Sequence, residues 1–182
     1  MLWAGIFLVY GFPVSGDVKQ FYQPQGRAAL SGRIPNADFT SWYMPGFAYL
    51  MGTVDYFGAR DLSIPFFLIL CFALASLLLP GHFRNAGKEP EAAWILTVAG
   101  VLNGASWVLA VGYQQDEALL LLLAVITMLL IFDDREMTAG VVLGLGLFFT
   151  KILFLLSAGA LGLHARRRYR LALGATLSFG LS

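Results

Sequence analysis

Three stretches of this chain, at 62–80, 92–115 and 118–132, contain no Lys, Arg, Asp or Glu. Runs of this kind restrict the fold more than any other feature, because roughly 20 apolar residues in a helix cover the ~30 Å of a bilayer's hydrocarbon. The whole composition points the same way. Of 182 residues, 58% are hydrophobic and 13% charged, 15 are Phe, and the mean hydropathy is +0.73. That is more apolar material than a globular core of this size absorbs. The expectation is an all-α integral membrane protein, a multi-span helical bundle.

The spans expected are about 1–13, 62–80, 93–113 and 118–132, a long stretch at 137–163 and a truncated span at 171–182, with a loop at 14–61. Residues 1–13 lack a positive leading region, so they read as a clipped first span or a weak signal peptide. The run beginning at 171 stops after twelve residues, and the chain reads as the N-terminal fragment of a larger protein. Net charge is +1, which gives no reason to expect a nucleic-acid partner, and the single cysteine, Cys71, lies inside an apolar run with no second thiol to pair with.

Seven bases, Arg84, Lys88, Arg135, Arg166, Arg167, Arg168 and Arg170, crowd short connections and mark the cytoplasmic side, which leaves 14–61 outside. The localisation expected is therefore multi-pass in a plasma membrane, with the site on the outer face. Both 133–136 and 164–170 then fall on one side, although a single apolar stretch separates them. Folded in half, that stretch gives arms of about 20 Å at 1.5 Å per residue, a re-entrant hairpin with Thr150 and Lys151 at its tip. The alternative is one long tilted span.

The loop at 14–61 is rich in Phe, Tyr and Trp, and helices lying along an interface are expected over 18–30 and 45–57. Asp17 precedes the first of them. A carboxylate there can accept a proton from an attacking hydroxyl, or it can simply cap the helix. Asp38 sits among the turn formers Gly32, Pro35, Asn36 and Pro45, where it caps or binds substrate. Gln114, Gln115, Asp116 and Glu117 form a connection that the span count brings to the same face as Asp17. Amides and acids of this kind suit sugar hydroxyls or a metal, and equally a solvated turn; whether a divalent metal is needed stays open. Lys151, alone among the charges at depth, calls for an anion such as a phosphate, or else snorkels. The Gly140 and Gly144 pair reads as a close helix crossing.

With these residues laid out, the order resembles the GT-C superfamily of polytopic glycosyltransferases, and most of all the polyprenol-phosphate-mannose-dependent type grouped as glycosyltransferase family 87. The likeness lies in Asp17 followed by FYQPQGRAALSGRIPNADFTSWYMPGFAYLMG, in GYQQDEALLLLLAVITMLL, and in AGVVLGLGLFFTKILFLL followed by HARRRYR. It implies a GT-C-like fold, transfer of mannose or another hexose or pentose from a polyprenyl-phosphate donor to a lipid or glycan acceptor, and Asp17 as general base. Asp38, Tyr43, Gln115, Asp116, Glu117 and Lys151 are then read as substrate contacts. Membrane lipid, the lipid-phosphate donor and the acceptor are the partners implied, and no cofactor is needed because the lipid-phosphate sugar is itself a substrate. Two departures stand out: Met44 in WYMPG, where tyrosine or a second proline is usual, and Asp116, where asparagine is usual. The competing classes are a multi-span transporter, which should show an internal repeat, and a non-enzymatic membrane assembly protein.

Overall fold

In a computed structural model the chain is described over residues 14–58, 60–85, 113–150, 159–163 and 165–180. A π-helical turn, Val18–Tyr22, runs into α1 (Gln23–Leu30). Then come α2 (Pro45–Phe57), a 3₁₀ turn (Arg60–Leu62) and α3 (Ser63–Asn85). The second half contributes α4 (Glu117–Phe132), α5 (Glu136–Phe149) and α6 (Arg168–Gly180). Among the described residues there is no strand, only an isolated bridge between Pro35 and Phe39.

Helices therefore form over both 18–30 and 45–57, but not as elements lying along an interface. Their apolar faces instead build the main core, in which Val18, Tyr22, Phe47 and Met51 meet Ile64, Leu68, Cys71 and Phe72 of α3 and Ala118 and Leu119 of α4. Two glycines make the α1–α2 crossing possible. A Cβ on Gly26 would lie 2.5 Å from the Gly52 backbone nitrogen, and one on Gly52 would lie 2.5 Å from the Gly26 carbonyl oxygen. Pro45 starts α2 because its missing N–H is not needed in a first turn.

The membrane-spanning bundle expected from the apolar runs is overturned: among the described residues no helix is long and apolar enough to cross a membrane. At about 1.5 Å per residue, α4 (16 residues) and α5 (14 residues) extend roughly 24 and 21 Å, short of the ~30 Å required. The multi-pass plasma-membrane localisation is corrected on the same finding. One face of α3 (Ile64, Leu68, Cys71, Phe72, Ala75) is buried, while Phe66, Leu70, Leu74 and Leu77 are exposed. The expected spans 1–13 and 93–113 lie outside the described residues.

The stretch 137–163 is not one straight helix. α5 ends at Phe149, and Thr150 leaves helical geometry at φ −128°, ψ −132°. By residue 167 the chain is back where α5 began, since the Arg167 N–H donates to Glu136 Oε1 (3.3 Å) and Arg166 approaches Asp134 (3.8 Å). Gly140 and Gly144 let α6 approach closely: a Cβ at either would collide with the backbone at Leu171 or Ala175. The contact is thus helix packing, as glycines four apart allow.

Candidate functional site

The site is assembled where the start of the first helical segment meets the turn before α4. Asp17 sits at the head of the π-helical turn with helical backbone angles, and its carboxylate makes no capping bond. Ser15 Oγ does that work instead, accepting from the Val18 N–H at 3.3 Å. The Asp17 side chain turns away to accept a 2.5 Å hydrogen bond from Gln115 Nε2, across 98 positions of sequence. Next to it the Ser15 N–H donates to Gln114 Oε1 at 2.9 Å. Two consecutive glutamines thus lock the two segments together, one through its acceptor and the other through its donor.

That arrangement carries a conformational cost. Gln114 is fully buried and has φ +51°, the left-handed region that non-glycine residues seldom occupy. The neighbouring Gln115 amide can meet Asp17 only while this turn is held, and strain of this sort persists where surrounding contacts over-determine it.

Behind the pair lies a buried polar chain. The Tyr43 hydroxyl donates to Tyr22 Oη (3.5 Å), and the Tyr22 hydroxyl donates to Asp116 Oδ1 (3.3 Å). Burial, and then the adjacent Asp116 carboxylate, push the Tyr22 phenol far above its ordinary range, so it remains a donor at any working pH. The rings are fixed as well: Tyr43 stacks on Phe47 at 4.3 Å, and Tyr22 meets both edge-on at 5.6 and 5.1 Å. Ser41 Oγ, which accepts from the Tyr43 N–H at 3.2 Å and donates to Gln25 Oε1 at 3.0 Å, sets the approach of Tyr43.

The structure thus brings together Asp17, Gln115, Asp116 and Tyr43. It does not bring in Asp38, which is exposed and closes its own turn by accepting from the Ile34 N–H at 2.7 Å. Glu117 is exposed in the first turn of α4 while Asp116 beside it is buried, so the two carboxylates do not converge. Among the described residues no group of three or more His, Cys, Asp or Glu is placed to hold a metal ion. Lys151 lies outside the described residues; the preceding Thr150 is buried, and its carbonyl accepts from the Met44 N–H at 3.1 Å, next to Tyr43.

Tyr22 was not singled out from sequence, and Gln114 was read only as one of four residues in a polar connection. Tyr22 had a readable signal, since it follows Val18 by four and shares its helix face. The role of Gln114 depends on its left-handed backbone, and nothing in a Gln-Gln-Asp-Glu string announces that. Compared with protein-family models, with curated proteins and with solved structures, the chain matches none of them.

Proposed function

We propose that this chain carries the acceptor-activating site of a glycosyltransferase that moves a sugar from a polyprenyl-phosphate donor to a hydroxyl of a lipid or glycan acceptor. The observation that carries the reading is the Asp17 carboxylate held through Oδ2 by the Gln115 amide, with no other partner among the described residues. A general base has to be oriented yet keep an oxygen available for the incoming proton. In the proposed step the acceptor hydroxyl gives its proton to Asp17 as its oxygen bonds to the sugar's anomeric carbon. The bond from that carbon to the donor's phosphate oxygen breaks, and the phosphate leaves with the electron pair.

The residues around Asp17 fit supporting roles. Asp116, Tyr22 and Tyr43 form a donor and acceptor chain of the kind that orients hydroxyl groups, and Gln114 fixes the turn. Lys151, one position beyond the anchored Thr150, is assigned to the departing phosphate, which an ammonium meets as a point charge. The sequence resemblance suggests the donor class, and the hydrogen bond from Gln115 to Asp17 supports the choice of base.

The test is donor choice by the intact protein. Radiolabelled sugar should pass to acceptor from a polyprenyl-phosphate sugar and not from the corresponding nucleotide sugar. Transfer from the nucleotide sugar alone would contradict the reading.

A further inference from the structure

The second polar concentration in the molecule lies on the next residues of the same helical segment. Gln23 follows Tyr22 but points to another set of partners, donating from Nε2 to Asp55 Oδ1 and to Asp61 Oδ1, both at 3.3 Å. One turn on, Arg27 Nε donates to Asp55 Oδ2 at 2.8 Å. Asp55 is buried with only 8% of its side chain exposed, whereas Arg27 is 59% exposed. Arg27, Asp55 and Asp61 line an open cleft of about 730 Å³ together with Leu30, Ser31, Gly52 and Tyr56. That volume is in the range of small-ligand sites.

The chemistry of the walls narrows the occupant. Two carboxylates face one guanidinium, so the cleft repels an anion such as phosphate. The guanidinium already occupies Asp55, and two carboxylates alone make a poor cation cage. Leu30, 47% exposed, gives the wall one apolar strip, but the three charges beside it do not suit a wholly apolar guest. What remains is a ligand with several neutral hydroxyls, able to donate to the carboxylates and to accept from Arg27. Tyr56 adds the other half of sugar recognition: the residue lines the cleft and is 74% exposed, with Phe57 edge-on to its ring at 5.0 Å. An exposed aromatic ring at the cleft offers a flat apolar face for the C–H side of a pyranose.

We propose that the cleft formed by Arg27, Asp55, Tyr56 and Asp61 is a carbohydrate subsite that binds an uncharged sugar of the acceptor. Its role as an acceptor subsite rests on the transferase reading; its ability to bind a sugar does not. One helical segment then serves both places, with Tyr22 toward Asp116 and Gln23 and Arg27 toward the cleft.

Titration calorimetry of the intact protein with methyl α-D-mannoside, methyl β-D-glucoside and inorganic phosphate tests the proposal. At least one hexoside should bind saturably, and phosphate should neither bind in the cleft nor compete. Asp61→Asn should weaken hexoside binding about tenfold or more, since it removes a charged acceptor, and Tyr56→Ala should weaken it several-fold. Both residues are exposed, so melting should stay at the parent's value and a lost affinity reports on the cleft. Absence of hexoside binding, competition by phosphate, or binding that Asp61→Asn and Tyr56→Ala both leave unchanged would overturn the assignment. Hexoside binding in a protein that transfers no sugar would remove the catalytic reading and leave the subsite standing.

Discussion

Tyr22→Phe removes one oxygen from the most constrained point of the site, and the cost can be worked out. The ring is 1% exposed and its edge contact with Phe47 survives, so the change is confined to the hydroxyl. A hydrogen bond to a charged acceptor contributes about 1.5–3 kcal/mol. At 3.3 Å the bond to Asp116 is longer than the usual ~2.7–2.8 Å for O–H···O, which places it at the low end, about 1.5 kcal/mol. The 3.5 Å bond from Tyr43 adds little.

A pH dependence follows from the raised phenol. Below the ordinary tyrosine pKa of about 10 both folded and unfolded chains hold this proton, and the stabilisation is complete. Above it the unfolded chain loses the proton while the buried phenol keeps it, so stability falls as pH rises. One unit above that pKa the loss reaches about 1.4 kcal/mol for this single group, nearly cancelling the advantage over Phe. Denaturant unfolding of parent and Tyr22→Phe should therefore differ by about 1.5 kcal/mol at neutral pH and converge near pH 11, with equal m-values. Other tyrosines cancel in the difference. A variant as stable as the parent at neutral pH, or a gap that persists undiminished into alkali, would refute the buried hydrogen-bonded phenol.

Gly52→Ala should destabilise by about 1–3 kcal/mol despite alanine's better helix propensity, because the new Cβ would meet the Gly26 carbonyl at 2.5 Å. Gly81→Ala in α3, with nothing within 4 Å of the new atom, should be neutral or stabilising, and thermal melting of the pair decides it. Cys71, 3% exposed, has its thiol pushed up to about 11 by burial, so iodoacetamide at pH 8 should label it only after denaturant is added; prompt labelling of the folded protein would count against the α3–α4 core. Lys151→Met should leave melting unchanged and weaken binding of the polyprenyl-phosphate donor at least tenfold; equal donor affinity would remove the lysine from the site.

What could be read from the sequence was local. The helices over 18–30 and 45–57 follow from apolar spacing, a proline at a helix start and the intervening turn formers, and these signals act within a few residues of one another. The meeting of Asp17 with Gln115 was also legible, although it was derived from counting spans, and among the described residues no helix is long and apolar enough to be one. The contact holds for a different reason, the packing of α3 and α4 on the first helical segment. The spans were misread because a charge-free run measures composition and not helix length. The charge-free run at 118–132 lies within α4, which ends after 16 residues, where Asp133 follows. Asp38 closes its own turn, and an aspartate that does so shares its turn-forming neighbours with one that faces a ligand, so the sequence leaves both readings open. The Arg27–Asp55–Asp61 cleft escaped altogether: its members come from α1, α2 and the 3₁₀ turn, and the crossing at Gly26 and Gly52 that joins them is a tertiary fact.

The central claim is that Asp17 is a base and not a cap or a structural acceptor. Asparagine at this position keeps an oxygen for the Gln115 amide, so Asp17→Asn should fold and melt as the parent does while losing the ability to take a proton. The most direct measurement is the turnover of sugar transfer from a polyprenyl-phosphate donor by the Asp17→Asn protein. General-base catalysis contributes about 10²–10⁴-fold, and a fall of that size with unchanged melting is the predicted result. Turnover within a few-fold of the parent would contradict it and leave Asp17 as no more than the hydrogen-bond partner of Gln115.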